Sequence, residues 1–173
     1  DEDVATYLAD SSDCLKFYTE KMRRGEFPND CGSDKGIDLD WQEGDPILDR
    51  AVMDIMRPHW REFADALKQF TPAFGVLPDG CESFFHLMNV QLPGNFSWRL
   101  RDALMNKPFQ TLRFVNKTGV RNNEGMSVDE IMDIMNSNKH LRKLNIGNNR
   151  IGTDSIAKIC SAVRYGSIVD LDL

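Results

Sequence analysis

Two hydrophobic periods take turns along the second half of the chain. Across 141–151, Leu141, Leu144, Ile146 and Ile151 stand around Asn149 in the spacing L-x-x-L-x-L-x-x-N-x-L. Leu144 and Ile146 are two apart, the period that turns both side chains of a strand to one face. The period then changes. Ile156, Ile159, Cys160 and Val163 fall at i, i+3, i+4 and i+7, one stripe of an amphipathic helix, with Thr153 or Asp154 placed to cap its start. On that stripe the Cys160 thiol is expected to act as a small hydrophobe. Ile168, Leu171 and Leu173 restart the strand pattern, Ile168 coming 27 residues after Leu141.

The same grammar precedes this unit. Phe109, Leu112 and Phe114 predict a strand; Ser127 and Glu130 form a capping box; Val128, Ile131, Met132 and Met135 make the helical stripe. Lys117 stands where the motif wants asparagine, and the loop at 120–125 is longer than its counterpart. One unit further back the pattern weakens, with a strand over 85–90 and a helix capped by Ser97 that carries Leu100, Ala103 and Leu104. Trp60, Phe63, Ala64 and Leu67 predict a helix over 58–70. Before it, Pro46 opens a helix through Met56 with two adjacent rows, Ile47/Ala51/Ile55 and Leu48/Val52/Met56. Residues 1–45 support no element beyond a helix over 4–22. The stretch 23–45 is rich in Gly, Asp, Asn and Pro and reads as loop, and its run 34–40 fails the calcium-loop template and reads as a solvated acidic loop.

A strand and a returning helix share one core but leave it open at the flanks, so such units close it only by stacking on one another. The pattern resembles the ribonuclease-inhibitor-like class of leucine-rich repeats, whose N-N-x-I-G signature stands here as Asn148, Asn149, Arg150, Ile151 and Gly152. The resemblance covers 81–173 and, more loosely, 58–80. The phrases at 59–64, 89–93 and 107–109 are also similar to repeat proteins abundant in diatoms. The resemblance implies an α/β solenoid, parallel strands alternating with helices in a partial horseshoe. The expected organisation is an acidic, largely irregular arm over 1–45, a helical and irregular first unit over 46–80, and repeats over 81–173 that break off in mid-strand. Leu141, Leu144, Ile146, Asn149 and Ile151 carry the motif. The Asn149 amide is expected to bond backbone groups of the turn after the strand.

Charge and chemistry narrow the function. The net charge is −6. Residues 1–50 hold 14 acidic and 6 basic residues, and the remainder 13 and 15, so the acidity gathers at the N-terminal end. An acidic chain is a poor match for nucleic acid or an anionic membrane, and no stretch has the length of a membrane span. The four cysteines have no metal-ligand spacing, which suits reduced thiols in the cytoplasm or another intracellular compartment. The two N-x-[ST] tripeptides, at 95–97 and 116–118, read as chance occurrences. The chain begins at Asp1 without a methionine, which points to a fragment or a processed chain. No phosphate loop, nucleophile elbow or zinc-protease motif is present, and a Cys81/His86 pair would lack an orienting group. No enzyme activity, cofactor or metal is expected.

The resemblance implies that the concave sheet binds another protein. The outward positions would be His86, Leu87 and Asn89 on one strand, Gln110, Thr111, Arg113 and Val115 on the next, then Arg142, Lys143 and Asn145, and last Asp170 and Asp172. Lys143 should neighbour Asp170, and Arg113, Asn145 and Asp172 should share a row. The core of the candidate surface is Arg113, Arg142, Lys143, Asn145, Gln110 and Val115. The expected function is a non-catalytic protein-binding scaffold. The alternative is a regulator of a partner enzyme, such as a GTPase-activating protein of leucine-rich-repeat type.

Overall fold

A computed structural model of the chain describes residues 2–31, 34–40, 48–71, 82–115, 126–149, 151–164 and 168–173. Within them a helix α1 (Glu2–Arg23) is followed by strands β1 (Asn29–Cys31) and β2 (Asp34–Asp40) and by helices α2 (Arg50–Ile55) and α3 (Arg57–Gln69). Strand and helix then alternate: β3 (Ser83–Met88), α4 (Ser97–Leu104), β4 (Thr111–Val115), α5 (Val128–Ser137), β5 (Lys143–Asn145), α6 (Thr153–Arg164) and β6 (Asp170–Asp172). The strands form one sheet in chain order. The β1–β2 pair is antiparallel, and β2 through β6 are all parallel.

Register explains why these strands hold. Ile37, Phe85, Leu112, Leu144 and Leu171 face one another across successive strands. Leu39, Leu87 and Phe114 form a second row, and Ile146, just past β5, adds a fourth buried side chain to the same core. Every member of these rows except the half-buried Leu171 is buried. The helices cover this side. Trp60, Phe63, Ala64 and Leu67, the stripe expected on α3, are buried, as are Leu100, Ala103 and Leu104 on α4. On α5 the buried side chains are Ile131, Ile134 and Met135. Pro58 lies in the first turn of α3, where a missing N–H costs nothing.

Caps tie units together. Ser127 accepts from the Glu130 amide while the Glu130 carboxylate accepts from the Ser127 amide, so the expected capping box is complete. Ser97 does not cap its own helix; Phe96 holds that position, and the Ser97 hydroxyl donates to Glu130 Oε1 at 2.9 Å. The buried Lys107 Nζ donates to the carbonyls of Lys68 (2.8 Å) and Phe70 (2.7 Å), closing the C-terminal end of α3. Asn149 Nδ2 donates to Ile146 O at 2.7 Å, to Gly147 O at 3.4 Å and to Phe114 O of the preceding unit. The turn after β5 thereby keeps its carbonyls paired and is tied to its neighbour.

Several expectations are corrected. The run 34–40 is a strand, not a solvated loop: Ile37 and Leu39 point into the core while Asp34, Asp38 and Asp40 point away from it. The helix before it is longer than its weak periodicity suggested, and Leu15, Tyr18 and Met22 bury one side of it in the core. Helix α2 starts at Arg50, capped by Asp49, so Leu48 and Asp49 precede the helix instead of lying within it. Its buried residue is Met53, while Ile55 is 62% exposed, so the row through Ile55 is not a core row. Cys160 is exposed; on α6 only Ile159 is fully buried, because among the described residues α5 is the one helix packed beside it. The expectations for Cys81, Lys117, Pro46, Ile47, the loop at 120–125 and the tripeptide at 116–118 lie outside the described residues.

Candidate functional site

Among the described residues, the sheet has one face covered by helices and one left open. On the open face, parallel register lines up side chains of different chemistry. One row runs Asn29, Gly36, Phe84, Thr111, Lys143, Asp170. The next runs Asp38, His86, Arg113, Asn145, Asp172. Both expected neighbour relations, Lys143 beside Asp170 and Arg113 in line with Asn145 and Asp172, hold. Together with Asp34 and Glu82 these residues, apart from the buried Gly36, line a groove of about 580 Å³.

The floor of the groove has a fixed shape. The Phe84 ring lies down over Gly36: a Cβ there would sit 2.6 Å from the ring and nearer still to the Phe84 carbonyl oxygen. The same ring stacks on His86, with centroids 4.6 Å apart and planes 30° apart. Glycine is therefore required at 36 for this aromatic platform to form. Below it, Tyr18 donates its hydroxyl to the Asp38 carbonyl at 2.6 Å, fixing β2 to α1. Burial, chiefly, and the neighbouring Cys14 push the Tyr18 phenol up to about 12.

Charge in the groove is partly spent internally. Lys143 Nζ lies 2.7 Å from Glu82 Oε1, and this hydrogen-bonded pair holds the Lys143 pKa above its ordinary value. The other Glu82 oxygen accepts from Thr111 Oγ1 at 3.0 Å. Asn145 Nδ2 donates to Asp172 Oδ2 at 2.7 Å, and Asn145 Oδ1 accepts from the Gly147 amide. Asp34 Oδ1 accepts from the Glu82 amide. His86 Nδ1 stands 3.6 Å from Asp38 Oδ1, beyond hydrogen-bond reach. Arg113, half-buried at the centre, has no ion pair or hydrogen bond through its guanidinium among the described residues.

Five of the expected surface residues fall elsewhere. Asn89 lies just past β3 with a positive φ, its Nδ2 donating to Asp40 Oδ1 at 3.2 Å, outside the groove. Leu87 and Val115 are buried. The Leu87 expectation fails because β3 is registered three residues earlier than the spacing placed it: Phe85 and Leu87, not Met88 and Val90, match Leu112 and Phe114. Val115 ends β4, where it is packed in rather than presented. Gln110 closes the sheet edge, its Oε1 accepting from the Ser83 amide and its carbonyl accepting from the amides of Arg142 and Lys143. Arg142 is exposed but lies just before β5 and outside the groove. Arg113, Lys143 and Asn145 do come together. The sequence reading missed the groove residues Asn29, Asp34, Asp38, Glu82 and Phe84; the alternation of Ile37 and Leu39 was the signal for Asp34 and Asp38.

Among the described residues no cluster of His, Cys, Asp and Glu has the arrangement of a metal site, and no helix is long and apolar enough to cross a membrane. No protein-family model matches this sequence, and no curated protein matches it.

Proposed function

We propose that this chain is a leucine-rich-repeat protein of the ribonuclease-inhibitor-like class, and that its open strand face is the concave surface on which a partner protein is held. The chain itself performs no chemistry in this reading. The observation that carries it is the open face: aromatic, cationic, anionic and amide side chains stand in register on strands anchored by a continuous core. Such a surface is preorganised, so little order is lost when a partner docks. The Asn149 amide supports the repeat class, since it serves the turn and the neighbouring unit at once.

The test is selection of binders from a displayed random-peptide library, sorted by sensitivity to substitutions on the two faces. Arg113→Glu and Asp38→Lys alter the open face, and Lys158→Glu alters the exposed side of α6. Binders lost on the first two and kept on the third are the expected outcome. Binders that ignore both open-face changes would remove the docking role from this surface.

A further inference from the structure

The second row of the open face has an order of unspent charge. Subtracting the groups already paired leaves Asp38, Arg113 and the free oxygen of Asp172, which reads minus, plus, minus. His86 separates the first two and Asn145 the last two. Arg113 lies two strands from each carboxylate. At a strand spacing of about 4.8 Å, that places the charges about 9.6 Å apart on either side.

We propose that the groove recognises an extended, polyproline-type peptide segment that crosses the strands, with an acidic side chain on Arg113 and a basic side chain three residues away in each direction, on Asp38 and on Asp172. This rests on the open face being the docking surface and adds the chemistry of its occupant. The spacing selects the conformation. A polyproline helix has three residues per turn and advances about 3.1 Å per residue, so side chains three apart share one face about 9.3 Å from each other. A β-strand presents one face at about 6.8 Å or 13.6 Å and misses both carboxylates. The polyproline backbone makes no internal hydrogen bonds, which leaves its carbonyls free to accept from the second N–H of the Asn145 amide on the groove floor. A basic group at Asp38 also meets the Phe84–His86 ring stack, where an arginine or lysine gains from the aromatic face.

The experiment uses fluorescently labelled synthetic peptides and anisotropy at low and high salt. The probe carries Lys-Pro-Pro-Glu-Pro-Pro-Lys. Its controls are the inverted order Glu-Pro-Pro-Lys-Pro-Pro-Glu and the shorter Lys-Pro-Glu-Pro-Lys. The expected result is binding of the probe about tenfold tighter than either control, weakened by salt. Arg113→Glu should reverse the preference toward an all-lysine peptide of the same spacing, and Arg113→Gln should remove the preference without reversing it. Both variants are checked for native thermal unfolding. Equal binding of probe and controls, or an Arg113→Glu protein with unchanged preference, overturns the inference. Library-selected peptides that depend on the open face but lack this spacing would overturn it too while leaving the docking surface in place; peptides indifferent to that face would remove the surface itself.

Discussion

The two ends of the sheet differ in a way that inverts their sequences. The C-terminal units carry the most regular spacing, Leu141 through Ile151, yet α6 buries only Ile159 completely and Leu171 is half-buried. The N-terminal units have a degraded pattern, yet Trp60, Phe63, Phe85 and Phe109 are all fully buried there. Motif regularity and burial therefore report different things. A motif states how a unit can share a core, whereas burial depends on having neighbours on both flanks. Between β2 and β4 each strand has a neighbour on either side and helices above; β6 has β5 alone among the described residues.

The largest expected effect breaks or keeps this contrast directly. Phe85→Ala opens a cavity at the centre of the core and should cost about 3–5 kcal/mol. Leu171→Ala, in the same row four strands away from β2, should cost less than about 1.5 kcal/mol because part of its surface is already in water. Urea denaturation followed by tryptophan fluorescence compares the two. Similar losses would mean that the two ends are equally consolidated.

A second contrast lies between glycines. Gly36→Ala places a methyl group into the Phe84 ring and carbonyl and should cost about 1–3 kcal/mol as overpacking. Gly152→Ala meets no heavy atom within 4 Å and should change stability by less than about 0.5 kcal/mol. Melting temperatures of the two variants decide this. If Gly36→Ala melts with the parent protein, the aromatic platform is not fixed by that contact.

These glycines also show where sequence reading stopped. β4 and β5 were legible because their apolar residues alternate, Leu112 with Phe114 and Leu144 with Ile146. β2 was not. It has only Ile37 and Leu39 to mark its inner face, and what makes it a strand is its pairing with β3 and the Phe84 ring folded over Gly36, both tertiary. β3 was found but misregistered, because Phe84, Phe85, Leu87 and Met88 are apolar on both faces and alternation cannot say which side is inward. The groove was half legible for the same reason: Arg113, Lys143 and Asn145 sit on well-marked strands, whereas Asp34 and Asp38 sit on the strand that looked like a loop.

Polar side chains that seal backbone ends give a smaller effect, one at each end of the molecule. Asn149→Leu leaves the carbonyls of Phe114, Ile146 and Gly147 without the amide they share, and Lys107→Met does the same to Lys68 and Phe70. Each should cost about 1–2 kcal/mol. Amide hydrogen exchange should quicken near 146–149 in the first variant and at the end of α3 in the second. Loss spread evenly over the whole chain in both would show that neither cap acts locally.

The smallest effect concerns the link between α1 and β2, and it is read in pH. Tyr18→Phe removes one hydrogen bond to Asp38 O and should cost about 1 kcal/mol at neutral pH. The phenol is raised from an ordinary 10.0 to about 12 by burial first and by Cys14 second. A raised pKa means that the folded state holds its proton longer than the unfolded one. The stability from Tyr18 is therefore complete below pH 10 and is lost as pH rises from there through about 12. Stability measured by denaturant titration across that window should fall more steeply for the parent than for Tyr18→Phe, because lysines and other tyrosines titrate alike in both. Parallel slopes would place the Tyr18 hydroxyl in water and detach α1 from the strand that supplies Asp34 and Asp38 to the groove.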